Sequence, residues 1–249
     1  MDSGLYAAYT GLLSRTQALD TAANNLANTG TVGFRAQRDY FRGVLAGIDG
    51  EAPSQVGDAI NDYGILGGSL IDNAQGAISA TGNPLDLALS GQGYFAIQTA
   101  QGIQYTRDGG FARSSVGQLQ TRQGEAVLDS VGQPITIPSG TINIAPNGSI
   151  SVTTPEGSAI AGTIGIFSFA PDAELTALGI NRFSAPAGLE PTASDATVQQ
   201  GALEGANLDT VHGTMQLILI QRQAEMMQKA LSVFNNNFDK TAAEDLGRV

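Results

Sequence analysis

The chain has 249 residues, 42% of them hydrophobic, which is enough to build a core in one large domain or two modest ones. Twelve Lys plus Arg against 23 Asp plus Glu leave a net charge of -11 with no basic run, which argues against nucleic acid as a partner. The absence of cysteine excludes disulfides, thiolate metal sites and cysteine nucleophiles.

The opening residues MDSGLYAAYTGLL place no Lys or Arg ahead of the apolar part, which Tyr, Thr and Gly interrupt, so a secretory signal peptide is not expected. No window reaches about 18 apolar residues, and no membrane span is expected either. Leucines at 5, 12, 19 and 26 recur every seven residues and predict a heptad seam on a helix over 4–28, with Ser3 placed to cap its start and Gly30 its end. One residue ahead of each leucine stand Gly4, Gly11, Ala18 and Asn25, a stripe of mostly small residues that lets another backbone approach closely.

Between Leu5 and Asn28 only Arg15 and Asp20 are charged, whereas a solvated helix face is normally laced with Glu, Lys and Arg. Asn24, Asn25 and Asn28 are poor helix formers, and one reading is that they fray a helix end. Three within five residues point instead to a crowded, dry junction, where an amide offers donors and acceptors without the desolvation cost of a charge. Burying four leucines is worth roughly 1.5 to 3 kcal/mol each, while ordering some 20 residues costs about 1 to 2 kcal/mol apiece, so this helix needs a partner.

Residues 45–80 are rich in Gly, Ala, Pro and Ser and read as an extended linker; 170–198 read as a second extended connection. Between them, glycine turns separate alternating runs such as Leu85, Leu87, Leu89 and Ile135, Ile137, Ile142, Ile144, Ile150, Val152, which predict strands. The last 50 residues carry a second helical pattern of 35 residues or more. Asn207 or Asp209 is placed to cap it, and Leu208, Val211, Met215, Ile218, Met226, Leu231, Phe234 and Phe238 mark its apolar stripe. The expected fold is α+β: long N- and C-terminal helices (1–44 and 203–249) forming a coiled-coil-like inner domain, with a strand-rich outer domain over 81–202.

The run ANNLANTGTVGFR, residues 23–35, resembles the N-terminal signature of the bacterial flagellar rod and hook protein family. GNPLDLALSGQGYFAI at 82–97, YTRDGGFARSSVGQLQTRQGEAVL at 105–128 and QGALEGANLD at 200–209 are similar to further stretches of that family. Within it, MDSGLYAA, GFRAQ at 33–37 and LIQRQAEMMQKAL at 219–231 look more like the proximal rod branch than the distal one, although Ala224 stands where an aromatic is expected.

The resemblance implies an axial structural subunit of the flagellar basal body, passed through the flagellar type III export apparatus and stacked helically with copies of itself and other rod proteins to transmit torque for motility. It implies subunit contacts through Leu5, Leu12, Leu19, Asn24, Asn25, Leu26, Asn28, Gly33 and Phe34 at one end. At the other end the implied contacts are Leu208, Val211, Met215, Ile218, Arg222, Met226, Leu231 and Phe234. It implies no cofactor, no metal, no small-molecule substrate and no catalytic residue, and a place in the rod within the periplasm.

Catalytic readings find little footing. His212 is the single histidine, and a triad or metal site would need partners its helix does not obviously supply. Gly91, Gly93 and Ala96 mimic a dinucleotide fingerprint but lead into a strand-like run, where the fingerprint needs a helix. Asp58, Asn61 and Asp62 lack the spacing of a calcium loop. A distant carboxylate pair for glycoside hydrolysis has no positive support. A surface β-rich binding module multimerised by its terminal helices is the alternative of a different class.

Overall fold

The computed structural model describes residues 2–42, 65–170, 173, 175–186 and 188–246, with side chains described from 9 to 40 and, within those ranges, from 70 to 233. Two helices, α1 (Asp2–Ala27) and α2 (Thr210–Leu246), flank a strand-rich middle, so the chain is α+β. The strands are β1 (Gln37–Arg42), β2 (Ile65–Ile71), β3 (Ile78–Ala80), β4 (Leu87–Ser90), β5 (Tyr94–Thr99), β6 (Gly102–Thr106), β7 (Phe111–Arg113), β8 (Leu119–Thr121) and β9 (Ala126–Val127). They continue with β10 (Thr141–Ile144), β11 (Ser149–Thr154), β12 (Gly157–Thr163), β13 (Ile166–Ser168), β14 (Thr176–Gly179), β15 (Arg182–Ser184), β16 (Thr192–Ala193), β17 (Thr197–Gln200) and β18 (Ala202–Glu204).

The chain divides into two compact units, a helical one of residues 1–27, 37–70 and 210–249 and a β one of 28–36 and 71–209. In the β unit, a nine-stranded sheet runs β14-β15-β6-β5-β9-β8-β7, with β13 pairing β5 and β16 pairing β13. A three-stranded sheet, β10-β11-β12, and the pairs β17-β4 and β18-β3 complete it. The pairings in this unit are antiparallel.

Strand β5 shows how the sequence builds the core. Its run YFAIQT is apolar at successive positions because both faces of the strand are covered: Phe95 and Ile97 enter one cluster with Leu87, Leu89, Leu119 and Ile137, while Tyr94 and Ala96 enter a second with Tyr105, Leu128 and Phe183. Phe95 meets Phe111 edge-on at 5.1 Å, and Tyr105 meets Phe169 at 4.8 Å, a geometry that suits the ring quadrupoles. Leu87 and Leu89 lie in β4, Ile142 and Ile144 in β10, and Ile150 and Val152 in β11, as the alternation predicts. Ile135 and Ile137 are buried in the same core but lie beside the isolated bridge residues Pro134 and Thr136 rather than in a strand.

The structure corrects several expectations. Residues 170–198, expected to be an extended connection, carry β14, β15, β16 and the start of β17, short strands whose weak alternation reflects mixed exposure. Strands β2 and β3 fall within 45–80, while Asp58, Asn61 and Asp62 lie outside the described residues. Helix α1 already includes Ser3, so Ser3 is no cap, and Gly30 is not left-handed; the chain leaves the helix through a turn in which the Thr31 N–H bonds the Asn28 carbonyl at 3.0 Å. Asp209 immediately precedes α2, whereas the Asn207 side chain is engaged elsewhere.

Candidate subunit-contact site

Helix α1 packs against α2 within the helical unit. On α2 the positions withdrawn from solvent are Gly213, Leu217, Ile220, Ala224, Met227 and Leu231, spaced four, three, four, three and four apart as a helix face requires. On α1 they are Gly11, Ser14, Ala18, Ala22 and Asn25. The buried stripe of α1 is therefore the small-residue one, which allows close backbone approach. Leu12, Leu19 and Leu26 are only half-buried and flank that stripe by roughly a quarter turn at about 100° per residue, so the seam inside the chain is not the expected leucine seam. Leu5 and Phe234 lie in α1 and α2, but their side chains are outside the described residues, as is that of Phe238.

The other residues expected on the C-terminal stripe fall on the opposite side of α2. Val211, Met215, Ile218 and Met226 are 46 to 66% exposed, and Arg222 lies among them. Stepping about 100° per residue places this set about 180° from the buried stripe. Helix α2 thus carries two seams, one satisfied by α1 and one facing outward. On α1, Tyr9 and Leu13 are likewise more than half exposed. Leu231 belongs to the buried stripe and Leu208, just before α2, is half-buried.

Of the three asparagines, Asn25 is the buried one. Its Nδ2 donates to the Gln37 carbonyl at 2.7 Å and its Oδ1 accepts the Gln37 N–H at 2.9 Å, so one amide satisfies both polar groups of a β1 residue as a neighbouring strand would. One turn earlier the Thr21 hydroxyl donates to Asp39 at 3.0 Å. Burial pushes the Asp39 carboxyl above its ordinary value, and that hydrogen bond partly opposes the shift. Asn24 is exposed, and the half-buried Asn28 accepts the Thr31 hydroxyl at 3.2 Å.

Within the β unit, the segments next to the helices are tied together by buried charge. Glu204, 1% exposed, lies 2.9 Å from Arg35 and 3.0 Å from Arg107, and it also accepts the Gly76 N–H at 2.8 Å. Arg107 donates to the Gly91 carbonyl at 2.6 Å and stacks over Tyr94 at 5.4 Å, while Arg35 donates to the Ala74 carbonyl. The Arg35 nitrogen facing Glu204 is close but poorly aligned for a hydrogen bond, and Nε of both arginines is buried without a partner among the described residues. Burial first, then the nearby Arg35 cation, pushes the Arg107 guanidinium below its ordinary value, and Glu204 opposes both.

Gly33 makes this junction possible. Its φ is 66°, its N–H bonds the Glu204 carbonyl at 2.7 Å, and a Cβ there would lie 2.4 Å from the Arg107 carbonyl carbon. Phe34 beside it is buried. Asn207 completes the stitch: its Oδ1 accepts the Ala36 N–H at 2.8 Å, and its Nδ2 donates to the carbonyls of Asp72 and Ala74 at 2.8 and 3.1 Å. Arg107, Glu204 and the role of Asn207 were not anticipated from sequence. The one signal was that Arg107 ends an uncharged run over 87–106 and that Glu204 is the single charge between Asp195 and Asp209.

Gly91 and Gly93 connect β4 to β5, and no helix follows them. Among the described residues, no three His, Asp or Glu side chains gather as metal ligands, and no helix is long and apolar enough to cross a membrane.

Residues 5–35 match the flagella basal body rod protein family, 88–152 the flagellar hook protein FlgE/F/G D1 domain, and 199–244 the flagellar basal body rod FlgEFG protein C-terminal family. The flagellar basal-body rod protein FlgF of Mesorhizobium japonicum is 32% identical over 227 residues, 90% of each chain. The FlgF of Caulobacter vibrioides is 31% identical over 261 residues, the whole of both chains, and the rod protein FlgG of Bacillus subtilis is 31% identical over 92% of this chain and 93% of its own.

Proposed function

This chain belongs to the flagellar basal-body rod protein family and is a structural subunit of the bacterial flagellar basal body, and from that premise we propose that it is a proximal rod (FlgF-type) subunit whose terminal helices form the inner assembly layer. The observation that carries the assembly role of the helices is the outward seam of α2. Val211, Met215, Ile218 and Met226 keep heptad-like spacing on the side of the helix remote from its buried stripe. A helix that has already buried one apolar face has no use within its own chain for a second.

In the assembled rod, on this reading, helices of adjacent copies and of other rod proteins close over that seam in coiled-coil fashion. Leu5, Leu12, Leu19, Leu26 and Asn24 of α1 contribute, with Asn28 just after it, and Arg222 and Phe234 from α2. Residues 1–44 and 203–249 act as the inner domain and 81–202 as the outer one, joined through 45–80. The chain passes the type III export apparatus before folding into the rod and transmits torque there; it performs no catalysis and takes no cofactor. The proximal assignment rests on FlgF proteins standing beside FlgG proteins among the relatives, and distal rod is the alternative.

The test is the double substitution Met215→Asp with Ile218→Asp. Both side chains are exposed, so the purified chain keeps its fold, while incorporation into isolated basal bodies is lost. Normal incorporation would refute the outward seam as an assembly surface.

A further inference from the structure

We propose that Met215 and Met226 are an oxidation-sensitive switch on α2: conversion of their thioethers to sulfoxides by a peroxide withholds the unassembled chain from the rod. The proposal rests on the assembly role of the outward seam and adds a chemical modification site to it. The chain has no cysteine and four methionines, so its sulfur is all thioether. Three of the four, Met215, Met226 and Met227, lie in α2.

The helix sorts these three. Met215 and Met226 are 60% and 63% exposed, and eleven steps at about 100° per residue bring them within about 20° of each other on the outward side. Met227, the next residue, belongs to the buried stripe and is half-buried. Oxidation follows access to the sulfur, so the two seam methionines react ahead of their neighbour. Val211 and Ile218, which share the seam, are aliphatic and inert to a peroxide. Chemical sensitivity of the seam is therefore confined to two atoms.

Hydrogen peroxide supplies the oxygen. The thioether sulfur attacks one peroxide oxygen; an S–O bond forms as the O–O bond breaks, sulfur is oxidised by two electrons, and the other oxygen leaves as water. In the unassembled chain both side chains stand in water, so the sulfoxide oxygens are solvated and the fold is spared. In a closed seam the same oxygens become strong acceptors among apolar side chains, and a buried acceptor without a donor is costly. Oxidation thus acts on assembly and leaves folding alone, and it is reversible, because sulfoxide reductases restore the thioether. A methionine already covered in the rod is shielded from the oxidant, so the sensitivity belongs to chains not yet incorporated.

Two measurements test this. Peptide mass spectrometry of the purified chain during hydrogen peroxide treatment should show one oxygen added at Met215 and Met226 several-fold faster than at Met227, with the circular dichroism spectrum unchanged. Equal rates at the three positions, or a lost spectrum, overturn the proposal. The variant Met215→Leu with Met226→Leu keeps the seam apolar and removes the reactive sulfurs. In cells assembling flagella, incorporation into basal bodies is compared with and without peroxide for each chain separately. The treated-to-untreated ratio should fall several-fold for the wild type and hold steady for the variant. An equal ratio for the two chains, whether both fall or neither does, overturns the switch. The seam itself is judged without peroxide: if Met215→Asp with Ile218→Asp also incorporates normally, the assembly reading fails as well. If that variant is excluded from basal bodies and peroxide has no differential effect, only the switch fails.

Discussion

In the β unit, Phe95, Leu87 and Ile137 are wholly buried and even the charges of Arg35, Arg107 and Glu204 find one another; in the helix pair, Met215, Leu219 and Met226 lie 60 to 63% exposed. The β unit buries two apolar clusters in its own core, although Val116, Val131 and Ile160 on its turns and outer strands stay exposed. Helix α1 buries mostly glycine, serine and alanine, α2 buries Leu231 and half-buries Leu217, Ile220 and Met227, and both leave several of their largest apolar side chains in water. Small buried groups contribute little hydrophobic stabilisation, whereas each exposed Met or Ile can still contribute roughly 1.5 to 3 kcal/mol when covered. On the proposed reading, the helix pair is the region whose apolar faces are completed by neighbouring subunits.

Substitutions can break or sharpen that contrast. The largest expected effect is from Glu204→Gln, which leaves two buried guanidinium groups facing each other without a counter-charge. It should destabilise the β unit by about 3–5 kcal/mol, read as a shift in denaturant midpoint. A loss well under that range would mean the cluster is solvated or rearranges. Gly33→Ala comes next: its Cβ would press on the Arg107–Asp108 peptide, and overpacking of this kind costs about 1–3 kcal/mol beyond the backbone strain. Thermal unfolding followed by circular dichroism would detect it, and an unchanged midpoint would show that the junction can open.

Asn25→Leu sharpens the comparison from the helical side. It strips both hydrogen bonds from the Gln37 backbone, at about 1–3 kcal/mol for each group left buried and unpaired, and should loosen β1 while the β unit unfolds as before. Secretion of this variant should persist; failure to be exported at all would place the asparagine cluster in export recognition instead. The smallest effect on stability is expected from Ile218→Asp alone, within about 0.5 kcal/mol because the side chain is exposed, together with a clear loss of assembly. A large destabilisation would mean that this face already has a partner inside the chain.

Much of this was legible in sequence wherever the signal is local and periodic. The two long helices, the strands around Leu87, Ile144 and Ile150, and the stripe through Val211, Met215 and Ile218 follow from spacing alone. Which α1 stripe meets α2 was not legible, because leucines mark apolar faces without saying which of two faces a partner inside the same chain will take. Strands β14 to β17 were missed because they are short and half-exposed, so their alternation fades. The Arg107–Glu204 pair joins residues 97 apart, and no pattern along the chain links them.

The most direct test is amide hydrogen exchange on the purified, unassembled chain, compared with the same chain in isolated rods. The account predicts strong protection of residues 80–200 in both samples, and protection of residues 2–27 and 210–246 that rises sharply on assembly. Equal, strong protection of the two helices in the unassembled chain would contradict it, since the helix pair would then be complete without neighbours.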